Sequence, residues 1–303
     1  MHASPQPSSV AVSLRSYRAK DAERVVELSR LTLARPEFQV GNPVWTSVEE
    51  LESELADWSP PAEETLMVAA DGRRIVAFGG VELPTGFPHA ELFGPLVSAE
   101  ARGHRLGTQL LGASVERARE GGVEAVLAAV GTRNAAGRIL LERQGFRRRG
   151  RPQATFRLRP EDHRPLDEPP DRVEIRVAGE DDLPAALTLY HECFPQGRFP
   201  DAVWRENVGT GSVYAAEVDG EIVAVLNIDP SDRWIYHVGV TQNERNRGVG
   251  SYLLSRSLQG YWNEHPGQPL GLDVDASNVP AIRLYRRQGF APWLVLQTFE
   301  LEL

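Results

Sequence analysis

The chain has 303 residues, 41% of them hydrophobic and 25% charged, with a formal net charge of −9. Such proportions belong to a soluble globular chain long enough for two ordinary domains, and the acidic balance offers nucleic acid no attractive field while weakly favouring cations such as amines. The single cysteine, Cys193, excludes an intrachain disulfide and fits a reducing cytosol, and no apolar run approaches the ~20 residues of a membrane span.

In chain order, "MHASPQPSSVAVSLR" has no basic stretch followed by an apolar one, so residues 1–12 read as a flexible tail rather than a signal peptide. Residues 12–31 then give a short alternating strand, a polar turn and a helix-period segment, and residues 173–194 repeat that order. Residues 65–83 and 212–229 both read as hairpins, with Asp71-Gly72 and Asp219-Gly220 supplying the positive-φ turns. Next come "VSAEARGHRLGTQLLGASV" and "VTQNERNRGVGSYLLSRSL", each a polar, glycine-containing loop running into a helical apolar pattern. Each half closes with a strand, a turn and a helix stopped by Gly145 or Gly289, and Asn134 to Phe146 has the spacing of Asn278 to Phe290. Between the halves, "PEDHRPLDEPPDR" at 160–172 holds four prolines and many charges and reads as an exposed linker. The expectation is two related α/β domains in tandem, at 13–159 and 173–303.

The second glycine loop carries the chemistry. "WIYHVGV" is aromatic and β-branched, as a buried strand is. Leu253, Leu254, Leu258, Tyr261 and Trp262 then recur at helical spacing. "RNRGVG" therefore sits at a strand-to-helix junction, where the amides of Val249, Gly250 and Ser251 point unpaired toward any anion. Gly248 and Gly250 let the backbone approach a pyrophosphate, and Arg245 and Arg247 add charge.

Arg245-Asn246-Arg247-Gly248-Val249-Gly250 resembles the Q/R-x-x-G-x-G/A acyl-CoA loop of the GNAT N-acetyltransferase superfamily. "SNVPAIRLYRRQGF" resembles that family's next motif, with Asn278 and the small Ala281, which the resemblance makes CoA-binding positions, and Tyr285 ahead of the closing "GF". The resemblance covers both halves, and the tandem arrangement is similar to that of mycothiol synthase. It implies a mixed sheet in each domain, splayed between its fourth and fifth strands, flanked by helices and with CoA in the opening. It implies direct transfer of an acetyl group from acetyl-CoA to a small-molecule amine, with no covalent enzyme intermediate. It also implies that the thioester oxygen meets backbone N–H groups around Val238, Gly239 and Val240, and that Tyr285 protonates the leaving thiolate. A silent acyl-CoA-binding protein, or an enzyme using another acyl-CoA or a peptide amine, is the alternative. Neither a metal nor a nucleic acid or membrane partner is implied, and the pair of domains is either a monomeric pseudo-dimer or half of a homodimer.

The first half departs from the pattern. Arg105 occupies the position of Gly248, and Leu141 that of Tyr285. An arginine there either crowds the pyrophosphate, diverts the loop, or reaches sideways to grip phosphate; a leucine has no proton to give. The first domain is therefore expected to serve as scaffold or substrate wall, completing the acceptor pocket of the second.

The general base is open. Mycothiol-synthase-like sequences carry a glutamate where this chain has Trp234. Tyr236 and His237 follow on the same strand, on opposite faces if side chains alternate. Tyr236, on Trp234's face, is the better-placed cleft residue, and His237 has the ordinary pKa of a base but is as readily a packed residue. Asp273 and Asp275 share one face of the fifth strand and suit a cationic amine, although Asp275 equally suits the following turn. Asp229 and Asp232 read as turn residues.

Overall fold

The computed structural model describes residues 12–166, 168–195 and 199–303; of the expected tail, residues 1–11 lie outside the described residues. Two compact units appear: one runs up to Gly150 and includes Leu296–Leu303, and the other is Arg151–Val295.

The elements of the first unit follow the order expected. They are β1 (Ser13–Ser16), α1 (Ala22–Leu33), α2 (Val48–Leu55), the single turn α3 (Ala62–Thr65), β2 (Leu66–Asp71), β3 (Arg74–Glu82), β4 (His89–Val97), α4 (Leu106–Glu120), β5 (Ala125–Gly131), α5 (Ala135–Arg143) and the start of β6 (Arg147–Leu158). The second unit repeats them as β7 (Val173–Val177), α6 (Leu183–Cys193), α7 (Asp201–Gly209), β8 (Val213–Val218), β9 (Glu221–Asp229), β10 (Trp234–Val240), α8 (Val249–Glu264), β11 (Leu270–Asp275), α9 (Val279–Arg287) and the start of β12 (Ala291–Glu302). Within each unit neighbouring strands are antiparallel except β4 with β5 in the first and β10 with β11 in the second, which are parallel, so the sheet of each unit is mixed.

The hairpin turns differ in detail from the expectation. Asp219 (φ 52) and Gly220 (φ 85) form the two-residue turn between β8 and β9. In the first unit Asp71 instead pairs with Arg74, and the turn is Gly72-Arg73, with the glycine alone at positive φ.

A second difference concerns the halves themselves. Each sheet is completed by a strand from the other half of the sequence. The strand beside β5 is the end of β12, with Leu296 to Glu302 paired to Gly131 back to Ala125. The strand beside β11 is the end of β6, with Gln153 to Leu158 paired to Asp275 back to Leu270. Both exchanged strands are 12 residues long, enough to serve twice. Gly150, at φ 59, is a left-handed break in β6 where the chain leaves the first unit. The split into 13–159 and 173–303 thus follows the sequence repeat, whereas the folded units trade one strand each.

In the second unit the sheet lies between two helical layers. On one face Leu226 and Ile228 of β9 pack with Leu253, Leu254 and Leu258 of α8 and with Tyr285 of α9. On the other, Val225 packs with Ala186 and Leu189 of α6 and Trp204 and Val208 of α7. Alternation along β9 divides these two sets. The linker is largely exposed yet strapped to the second unit. Leu166 N donates to Ser255 Oγ at 2.8 Å, and Arg164 N donates to Gln288 O at 3.1 Å. The helix stop at Gly289 is bound to this strap, because a Cβ there would lie 2.1 Å from Asp162 O.

Candidate active site

The sheet of the second unit opens where the resemblance places an opening. The β10–β11 ladder is two pairs long, Trp234 with Gly271 and Ile235 with Leu272. Past Ile235 the β11-facing edge of β10 has no ladder partner, which leaves main-chain groups of 236–240 for other acceptors and donors. Gly239 is needed on the far face: a Cβ there would meet Leu189 of α6 at 2.8 Å. Val238 and Val240 pack toward α8 and α9.

The loop that follows makes a helix start without a side-chain cap. Asn246 (φ 62) and Gly248 (φ 88) are both left-handed, and α8 begins at Val249. The amides of Val249, Gly250 and Ser251 therefore have no partner inside the helix, as an anion site requires. Glycine at 248 answers two demands, since a Cβ would also lie 3.3 Å from Cγ of Pro170 on the linker. At Gly250 a Cβ would come within 3.1 Å of Val240 Cγ2, so the helix start sits against the end of β10. Arg245 is exposed, yet its Nε donates to Val240 O at 2.9 Å, tying the loop to the strand. Arg247 is exposed and pairs with Glu244 at 3.2 Å. Asn278 caps α9, accepting from Ala281 N at 3.2 Å.

Tyr285 is 8% exposed. Its ring lies in the cluster that contains Ile235 of β10 and Leu272 and Val274 of β11, against Phe290 and Phe156. Burial pushes its pKa up to about 12, so the hydroxyl keeps its proton at any physiological pH.

The residues expected to meet the acceptor are arranged by a bulge that simple alternation does not foresee. The β9–β10 register shifts between Ile235 and His237, leaving Tyr236 as the extra residue. Tyr236 and His237 consequently do not oppose each other across the sheet. Phe199 lies 5.5 Å from the Tyr236 ring and 4.9 Å from His237. His237 is a packed residue, boxed by Tyr190, Phe194 and Trp204 as well. Burial drives its pKa down to about 4, so it is neutral at pH 7. The Tyr236 hydroxyl donates to Asp232, whose carboxyl is raised above the ordinary range by desolvation. Asp229 is the turn residue, accepting from Ser231 N at 2.8 Å, whereas Asp232 is a partner of the cleft tyrosine that sequence reasoning missed. Trp234 lies over β11, and a Cβ on Gly271 would come 2.0 Å from its ring. Asp275 supports the turn, accepting from Ser277 N at 2.7 Å and from Ser277 Oγ, and these bonds lower its pKa. Asp273 accepts instead from Thr155 Oγ1 of β6 at 2.5 Å.

The corresponding loop of the first unit keeps its path. Gly103 (φ 83) and Arg105 (φ 60) repeat the left-handed residues one for one, and Arg102 Nε donates to Val97 O at 3.2 Å as Arg245 does to Val240. Arg105 therefore does not divert the backbone; the difference is its side chain. A left-handed arginine costs roughly 1–2 kcal/mol that glycine does not. Leu141, 2% exposed, fills the place of Tyr285.

Comparison with known proteins gives the same picture twice over. The model of the acetyltransferase (GNAT) family matches residues 31–146 and again 183–290. An N-alpha-acetyltransferase of Sulfurisphaera tokodaii is 29% identical over 102 residues, 28% of this chain and 60% of that protein. A mycothiol acetyltransferase of Clavibacter sepedonicus is 35% identical over 78 residues, 25% of each chain. The matches thus span less than two thirds of either relative. Among solved structures, a GCN5-related N-acetyltransferase from Sphaerobacter thermophilus has a TM-score of 0.74 at 21% identity, covering 96% of this chain and 95% of that one. A tandem GNAT protein from the clavulanic acid biosynthesis pathway has a TM-score of 0.63 at 18% identity, covering 96% and 98%. At such identities these two speak to fold.

Proposed function

The chain belongs to the acetyltransferase (GNAT) family, and on that premise we propose that it moves an acetyl group from acetyl-CoA to a primary amine of a small molecule, with the second unit doing the chemistry. The observation that carries this reading is Tyr285, a protonated phenol packed among residues of the two parted strands, where the first unit has Leu141. Acetyl-CoA supplies an activated acyl group. The helix-start amides of Val249, Gly250 and Ser251 hold its pyrophosphate, with Gly248 and Asn246 setting the loop. The unladdered edge around Val238, Gly239 and Val240 supports the pantetheine arm and the thioester oxygen. Arg245 positions that loop, Arg247 adds charge at its rim, and Asn278 and Ala281 fix the start of α9. Tyr236, on the bulge and bonded to Asp232, faces the acceptor. Both substrates are held together, so transfer needs no acyl-enzyme.

A peptide amine is the second reading, favoured by the names of the Sulfurisphaera relative and of a second N-alpha-acetyltransferase from Sulfolobus acidocaldarius, 24% identical over 135 residues. Thiol release from acetyl-CoA, measured with a panel of small primary amines and with peptides bearing free N-termini, separates the two. Small amines should be the faster acceptors. If acetyl-CoA binds but no amine or peptide releases thiol, the chain is a binding protein and the transfer reading fails.

The first unit should not become a second centre when its loop is restored. Arg105→Gly should leave turnover unchanged, because Leu141 still offers no proton. A gain of turnover that survives Tyr285→Phe would contradict this.

A further inference from the structure

We propose, resting on the acetyltransferase reading above, that Asp273, oriented by Thr155 from β6, binds the acceptor's ammonium and takes its proton. The geometry begins at the point where the strands part. Ile235 with Leu272 is the last ladder pair, so Asp273 is the first residue of β11 inside the opening. Leu272 and Val274 point into the core toward α8 and α9, which leaves Asp273 on the face of Gly271, where Trp234 lies. Trp234 closes the laddered end of that face, and Asp273 is the next position along it.

Asp273 is solvent-accessible although the residues on either side of it in β11 are buried. Protein nevertheless surrounds it deeply enough for desolvation to raise its carboxyl above the ordinary range. One oxygen, Oδ1, is held by Thr155, itself 2% exposed. Among the described residues no hydrogen bond engages Oδ2. The neighbouring acids are already employed, Asp275 by Ser277 and Asp232 by Tyr236, and His237 is packed and neutral. An anchored carboxylate with one open oxygen at the mouth of the opening selects a cation that can donate hydrogen bonds, which is a primary ammonium.

The protons balance as follows. Asp273 takes one proton from the ammonium, freeing the nitrogen lone pair. The N–C bond then forms and the C–S bond breaks, with the sulfur receiving the Tyr285 proton. The second proton lost by nitrogen restores the phenol, and the proton on Asp273 passes to solvent. The products are the amide, the CoA thiol and one proton. The charged and titratable groups nearest Asp273 in sequence register are Arg157 on β6, Asp275 on β11, and Tyr236 and His237 on β10. Its shift has only two causes, desolvation upward and the Thr155 bond downward.

The test uses the full-length protein, acetyl-CoA and the small amine turned over fastest by the wild type. Asp273→Asn should lower kcat/KM by about a hundredfold to ten-thousandfold, the range for a lost general base, and abolish the acid limb of its pH profile. Acetyl-CoA affinity should stay unchanged, and Asp273→Glu should recover part of the rate. Thr155→Val, which removes a bond to the charged form, should move the acid limb to higher pH; it also serves if Asp273→Asn does not fold. Wild-type rate and profile in Asp273→Asn, or an unmoved limb in Thr155→Val, overturns the assignment while leaving the acetyltransferase reading standing. A wild type that acetylates no cationic amine overturns both.

Discussion

Tyr285→Phe should lower kcat by about a hundredfold to ten-thousandfold, the span expected for losing a group that delivers a proton in the transition state. The substitution removes one oxygen and keeps the ring that packs against Phe290 and Phe156. Stability should therefore hold. Affinity for acetyl-CoA should also hold, because in the proposed reaction the hydroxyl acts on the departing sulfur rather than on the bound thioester. The raised pKa of about 12 has a sign worth testing. An acid must be protonated to act, so Tyr285 contributes no basic limb to kcat until pH approaches that value. An unchanged kcat, with chemistry shown to limit turnover, would reduce Tyr285 to a packing residue.

Residues 170–303 expressed alone should not fold. This fragment holds the whole second sequence repeat but lacks β6, which pairs with β11 along its full length. Phe156 and Leu158, each 1% exposed, would leave the core beside Leu270, Leu272 and Tyr285. Emptying one large buried position costs about 2–5 kcal/mol, and typical domains have only about 5–15 kcal/mol in total. Two vacated positions, about 4–10 kcal/mol together, and a β11 left with only its two-pair ladder to β10 take up most of that margin. Thr155 would be lost as well, and with it the anchor of Asp273. Residues 151–295, which restore β6 and omit the end of β12, should unfold cooperatively. Circular dichroism with urea titration of both fragments decides the matter. Cooperative unfolding of 170–303 would show that the exchanged strand is dispensable.

Much of this was legible in the sequence for local reasons. Strand alternation, the Asp219-Gly220 turn, the glycine loop and the helix stop at Gly289 are each fixed by residues close together, so their chemistry shows in a short window. The repeat made every such reading available twice. The strand exchange was not legible, because nothing in residues 151–158 states whether they pair with β5 or, 118 residues from Thr155, with Asp273 on β11. The bulge at Tyr236 was hidden for a similar reason: a one-residue register shift is a property of two strands together. Helix α7 went unread between 194 and 212. Its buried residues are only Trp204, Asn207 and Val208, too sparse a stripe for periodicity to detect. Asp232 looked like its neighbour Asp229 because both stand in a turn, and only the position of the Tyr236 hydroxyl distinguishes them.

The central claim is that one acetyl-CoA site per chain, built on the Gly248 loop, serves catalysis. Calorimetric titration of acetyl-CoA into the full-length protein and into Gly248→Arg tests it most directly. The variant copies the first unit's loop, where Arg105 holds the same left-handed conformation, and a thermal unfolding curve verifies that it is folded. Its side chain would enter the space before the free amides of Val249 and Gly250 and meet Pro170. One site per chain in the wild type and none in the variant is the predicted result. Two equivalent sites in the wild type, or one site that survives in Gly248→Arg, would contradict it.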